Sequence, residues 1–170
     1  MKRLLILDAQ NYAPDLEEIR RVCVRGIIFI DGKLLTVEDH FGAVKLPGGG
    51  IDSGEDDRRA LIREVKEETG YDVIEETIVP FGEIEEKRLS LHEPMIWHQF
   101  SRLYFCEVYP DRGACAYTEN EKKYGFRQAL YTLHEALEKN QIMLEKEGQL
   151  VWNQREYKTL LLIREYLQRS

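Results

Sequence analysis

The chain has 170 residues, 43 % of them hydrophobic, and a formal charge of −7 at pH 7 from 24 Lys and Arg against 31 Asp and Glu. That length and apolar content suit one domain that folds without disulfide or metal staples, and they exclude intrinsic disorder. The net negative charge argues against a general nucleic-acid binder, which needs a basic footprint.

Residues 4–7 form an apolar run that Asp8 ends. It is far short of the ~20 residues of a membrane span and too short for a signal-peptide core. This segment reads either as an added strand or as a partner arm. Residues 22–30 are rich in β-branched side chains and predict a strand. Asp31-Gly32 is a hairpin turn signal, and residues 33–38 are the returning strand. The next loop ends in Pro47-Gly48-Gly49-Gly50, where no regular element continues. Residues 56–69 hold no Gly or Pro and stop at Gly70, which predicts a helix with a glycine just past its end. Residues 73–85 and 95–109 are β-rich, and 126–130 form another short strand. Thr132 caps a helix through Lys139, with Glu135 at the capping-box position. Tyr157, Leu160, Leu161 and Leu167 recur at helical spacing, giving an amphipathic helix over about 154–168. Strands and helices interleave without strict βαβ alternation, so the class is α/β with a mixed sheet. Cys23, Cys106 and Cys115 are odd in number and scattered, as free thiols of a reducing cytoplasm are.

The acidity is concentrated. Residues 51–76 hold ten acids and four bases. On the predicted helix, Leu61, Ile62, Val65 and Thr69 share the core-facing arc, and Glu64, Glu67 and Glu68 fall together beside it. Like charges at that spacing cost roughly 0.2–0.5 kcal/mol each on a plain solvated helix. From the helix alone a solvated charged face accounts for the cluster, and a cation among the carboxylates is the other reading, which the neighbouring residues favour. Hard divalent ions take oxygen ligands, typically one or two carboxylates plus substrate phosphates. The preceding glycines let the backbone approach a ligand closely. They do not form a Walker A loop, since no Gly-Lys-Ser/Thr follows, and Ser53 breaks a GxGxxG reading.

Taken together, Gly49, Glu55, Arg63-Glu64, Val65, Glu67-Glu68 and Gly70-Tyr71 resemble the Nudix box. Five residues separate Gly49 from Glu55 and seven separate Glu55 from Arg63, as that pattern requires. Tyr71, at an aliphatic position, is the one departure. The resemblance implies a Nudix fold: an α/β/α sandwich with a mixed sheet and a loop–helix–loop box over 49–71, within a single domain spanning 1–170. It implies hydrolysis, dependent on Mg²⁺ or Mn²⁺, of a diphosphate bond in a nucleoside diphosphate derivative or nucleoside triphosphate. By position, Glu64, Glu67 and Glu68 are the metal-ligand candidates, with the carbonyl of Gly48 or Gly49. Glu55 pairs with Arg63 and braces the loop against the helix. Glu64 is the first choice for the base, and Glu119 and Glu121 are the candidates outside the box. The expected partner is a small nucleotide, in the cytoplasm, with neither nucleic acid nor membrane, and family analogy adds a homodimer.

The substrate is less legible. Arg88 and Glu86 stand where diadenosine-polyphosphate and ADP-ribose enzymes of this family carry Tyr and Pro markers, and no Pro-Trp-Pro is present. Arg20, Arg21 and Arg25 are candidates for meeting phosphate, Arg25 most of all because it lies inside an apolar strand. Glu121 is a further substrate-binding candidate. Of Trp97, Phe100, Tyr104 and Phe105, most are expected in the core. A non-cleaving nucleotide sensor and a protein-interaction domain built on the C-terminal helix are the rival readings. A sensor would be expected to lose a box carboxylate, and none is lost.

Overall fold

The structure, a computed structural model, describes residues 1–146 and 152–169. One four-stranded mixed sheet runs β1 (Arg3–Asp8), β7 (Val79–Leu89), β8 (Ile96–Phe105), β2 (Glu18–Ile27). β1 lies parallel to β7, β7 antiparallel to β8, and β2 parallel to β8. A second sheet runs β10 (Arg127–Tyr131), β4 (Lys33–Glu38), β3 (Phe29–Ile30), with β5 (Val44–Lys45) also paired to β4. β6 (Tyr71–Val73) and β9 (Val108–Arg112) form a small antiparallel pair. The helices are α1 (Asp57–Thr69), α2 (Glu119–Lys123), α3 (Leu133–Glu145) and α4 (Asn153–Arg169).

Alternate strand residues point to opposite faces, and they supply two separate cores. Val24, Leu35 and Tyr104 pack with Leu61 and Val65 of α1. Their neighbours Leu34 and Leu103, with Ile27 and Ile84, pack with Leu137 of α3 and with Leu160 and Ile163 of α4. The result is the expected α/β/α sandwich. No described helix is long and apolar enough to cross a membrane, and the three cysteines are free.

Several boundaries differ from the sequence expectation for physical reasons. The strand expected over 22–30 starts at Glu18 and breaks at Ile28. The Ile27 carbonyl accepts from Cys106 N–H and the Ile28 carbonyl from Leu35 N–H, so the chain passes from one sheet to the other there. The stretch expected as one strand over 73–85 contains a 3₁₀ turn at Glu75–Thr77, in which the Thr77 hydroxyl donates to the Ile74 carbonyl at 2.6 Å. The stretch at 95–109 breaks between β8 and β9, where the Glu107 N–H donates to the Thr77 hydroxyl at 2.8 Å. β1 resolves the open choice at the N-terminus in favour of a strand. The α3 capping box of Thr132 and Glu135 is present, but the helix runs on past Lys139 to Glu145.

Candidate functional site

The glycine loop is held along β2 like an extra strand. Gly26 N–H donates to the Pro47 carbonyl and Val24 N–H to the Gly49 carbonyl, both at 2.9 Å. Arg25, between these two residues, is buried, and its Nη1 donates to the carbonyls of Gly48 and, at 3.3 Å, Leu46. Gly48 has φ +138°, and a Cβ there would fall on the Val24 carbonyl oxygen, so only glycine fits. A Cβ on Gly49 would instead enter the space of the Glu64 carboxylate.

α1 presents its carboxylates to this loop. Its start is tied to β8, because Asp57 accepts from the Tyr104 hydroxyl and from Arg102 at 2.7 Å. Its last carbonyls are capped by the end of β9 and the segment that follows it. Ala116 N–H donates to the Glu67 carbonyl at 2.7 Å, the Tyr117 hydroxyl to that of Glu68 at 2.8 Å, and Arg112 Nε to that of Thr69 at 2.9 Å. Between these anchors Arg63 gathers the acids. Its Nε and Nη2 donate to the two oxygens of Glu55 at 2.9 and 2.8 Å. Its Nη1 reaches Glu64 at 2.8 Å and Glu67 at 3.3 Å, and its Nη2 reaches the Gly50 carbonyl at 3.0 Å. The Arg63 guanidinium holds the Glu55 carboxyl below the usual carboxylate range. Burial pushes Glu64 upward; Arg63 opposes this, and the neighbouring Glu68 adds to it.

Glu68 departs from its expected position on the acidic arc. It is 1 % exposed, with one oxygen 2.7 Å from Lys45 Nζ and the other accepting from Gly48 N–H at 2.7 Å. The cations standing among the glutamates are thus Arg63 and Lys45. Among the described residues no three His, Cys, Asp or Glu side chains are grouped to hold a metal ion. The donor chemistry nevertheless suits one. Glu64 Oε2 and Glu67 Oε1 receive no hydrogen bond among the described residues, and Mg²⁺ needs only one or two protein carboxylates beside substrate phosphates.

Both acids outside the box have structural partners. Glu121 closes a capping box with Thr118 at the start of α2, and Glu119 is exposed beside Lys122. The Thr-x-x-Glu spacing at 118–121 was the available signal for this helix.

A cavity of about 300 Å³ lies next to the box: no residue of 49–71 lines it, but its lining residue Lys45 is 2.7 Å from Glu68. Strand register builds one wall. Opposite pairs Arg21↔Gln99 and Arg88↔Trp97 put these four side chains on one face of the sheet. Arg20 lies on the other face, over the Phe100 ring at 4.5 Å. The second wall is aromatic: Trp152 meets Tyr124 edge-on at 5.8 Å, Tyr124 stacks on Phe126 at 5.9 Å, and Lys45 Nζ lies 4.3 Å over Phe126. Arg25 and Glu121 also line this space. The wall formed by Lys45, Tyr124, Phe126 and Trp152 was not anticipated from sequence, because no local spacing connects these residues. A larger space of about 800 Å³ lies between β1, β7 and α4.

The NUDIX domain family model matches residues 20–147. Among solved structures, the chain is similar to a MutT NUDIX hydrolase from Burkholderia pseudomallei, at 20 % identity and TM-score 0.52, covering 68 % of this chain and 85 % of that one. It is similar to a structure described as an ADP compounds hydrolase, at 21 % identity and TM-score 0.55, covering 87 % and 73 %. It is also similar to an ADP-ribose pyrophosphatase from Streptococcus suis, at 19 % identity and TM-score 0.52, covering 88 % and 92 %. No curated protein matches the chain.

Proposed function

The chain belongs to the NUDIX domain family, and from that premise we propose that it hydrolyses a diphosphate bond in a nucleoside diphosphate derivative or nucleoside triphosphate by water attack at phosphorus. The observation that carries this is the grip of Arg63 on Glu55, Glu64 and Glu67, which leaves one hard oxygen on each of Glu64 and Glu67 without a donor among the described residues.

Glu64 and Glu67 would hold Mg²⁺ or Mn²⁺, with Glu68 joining them if Lys45 gives way, and with Gly48 if its carbonyl turns from Arg25. The bound ion supplies positive charge against the diphosphate oxygens and acidifies water at the site. Glu64 takes the proton of the attacking water. Its Oε2, which receives no hydrogen bond among the described residues, is the atom that would take that proton or orient that water. Glu121 and Glu119 have other partners, which supports Glu64 as the base. Arg63 and Glu55 fix the orientation of the acids, since groups behind a ligand set its geometry. The ADP compounds hydrolase and the ADP-ribose pyrophosphatase to which the chain is similar are named for diphosphates of this class.

The test is to incubate the protein with dinucleotides, nucleotide sugars and nucleoside triphosphates, with Mg²⁺ and with chelator, and to identify products by mass. Metal-dependent cleavage that Glu64→Gln abolishes, with the fold intact, supports the reading. Turnover at near-native rate in both Glu64→Gln and Glu68→Gln overturns the site assignment.

A further inference from the structure

We infer, resting on the hydrolase reading for the ion itself, that Lys45 competes with a divalent metal for Glu68, so that the ion binds only as strongly as it can displace this ammonium from the carboxylate.

Glu68 has no oxygen to spare. It is 1 % exposed, its Oε1 lies 2.7 Å from Lys45 Nζ, and its Oε2 accepts from Gly48 N–H at 2.7 Å. The Gly48 carbonyl is engaged in turn by Arg25 Nη1. Glu64 and Glu67 differ, because each shares one oxygen with Arg63 and keeps the other without a donor among the described residues. A lysine therefore closes one of the three box glutamates and leaves two open. An ion that takes Glu64 and Glu67 alone leaves Lys45 where it stands. An ion that also takes Glu68 has to displace it.

Charge decides between these outcomes. The carboxylates of Glu55, Glu64, Glu67 and Glu68 face the cations of Arg25, Lys45 and Arg63. One negative charge is left over. A divalent ion entering with Lys45 in place turns that into one positive charge, whereas withdrawal of Lys45 leaves the cluster neutral. Where charge is poorly solvated, the neutral arrangement is the stable one.

The lysine also has somewhere to go. Its Nζ already lies 4.3 Å over the Phe126 ring, and its side chain, 14 % exposed, lines the neighbouring cavity. A short swing of the flexible stem lets the ammonium keep the ring and reach water as it leaves Glu68. Arg63 has no such freedom, because Glu55, Glu64, Glu67 and the Gly50 carbonyl hold its planar fork at once. Lys45 is the cation that yields, and it sets the ion concentration at which Glu68 joins the site.

The test titrates Mn²⁺ into the protein and follows the free ion by electron paramagnetic resonance. Lys45→Met and Lys45→Gln are each expected to bind Mn²⁺ about tenfold more tightly than the parent. Removing a lysine that only braces the fold gives equal or weaker binding. In a Glu68→Gln background, Lys45→Met changes the affinity by less than about twofold, since the contested carboxylate is gone. The parent protein supplies a second readout. Acylation of Lys45 by acetic anhydride, read by peptide mass, is expected to be several-fold faster with saturating Mn²⁺ than with EDTA. The competition is overturned if both lysine variants bind Mn²⁺ no more tightly than the parent, if the gain persists in full with Glu68→Gln, or if Mn²⁺ leaves the acylation unchanged or slows it. Any of those results beside Mn²⁺ binding that Glu64→Gln weakens removes the competition and leaves the hydrolase reading standing. Absence of Mn²⁺ binding in the parent and in every variant removes both.

Discussion

The ammonium of Lys45 lies 2.7 Å from Glu68, a glutamate 1 % exposed, and the Phe126 ring covers that ammonium from 4.3 Å. One side chain thus joins a box carboxylate to the wall of the adjoining cavity. Removing its charge strands a buried anion, which costs about 3 kcal/mol. For Lys45→Met we expect a melting temperature lower by roughly 6–12 °C without metal. Added MgCl₂ restores more of it than it adds to the parent, because a divalent ion replaces the lost charge. Differential scanning calorimetry with and without MgCl₂ checks this.

The two adjacent box glycines should fail differently. Gly48→Ala places a methyl on the Val24 carbonyl at φ +138° and costs about 1–3 kcal/mol of stability. Gly49→Ala pushes only against the Glu64 carboxylate, a flexible group. It keeps most of its stability and loses turnover. Urea midpoints set beside kcat for the pair separate the two effects.

Arg63→Lys keeps the charge but cannot reach both oxygens of Glu55 and the glutamates of the next turn at once. Turnover is expected to fall by roughly 10–100-fold, the usual loss when a ligand-orienting partner goes. The measured affinity for Mn²⁺ should weaken with it, and circular dichroism should stay native.

Glu121→Gln separates capping from proton transfer. Glutamine still closes the capping box with Thr118 but cannot act as a base. Activity within about twofold of the parent is expected, with an unchanged pH–rate profile. A collapse of kcat would move the base from Glu64 to Glu121.

Glu38 sets an acid limit on stability. Burial alone would raise its carboxyl pKa, but donors from Lys139, Tyr131 and Arg127 outweigh that and hold it below the ordinary value. A lowered folded pKa means the stabilisation is complete above the unfolded value, about 4.3, and fades as pH falls through the folded one. Glu38→Gln should cost roughly 2 kcal/mol at pH 7 and progressively less below pH ~4. Urea unfolding at pH 7 and in the acid range reads the difference.

The box was legible because its residues lie within one loop and one helix, where spacing in sequence is spacing in space. The pairing of Arg63 with Glu55, which the family resemblance implies, is present. The cavity was not legible, because Arg21, Trp97 and Arg88 come from three strands and meet only through pairing register. Lys45 was overlooked for the same reason: its partner Glu68 is 23 positions away. The break at Ile28 was hidden in an unbroken apolar run, since composition does not record which sheet a carbonyl turns toward.

The capping of α1 has an electrostatic meaning too. Helix dipoles place partial negative charge at the C-terminal end, where acidic side chains are unfavourable. Glu64, Glu67 and Glu68 all stand in the second half of α1. The donors from Arg112, Ala116 and Tyr117 quiet the last carbonyls but leave the side chains at the negative pole. A cation held by Glu67 and Glu68, in the last turn of α1, would therefore also offset the helix's negative end.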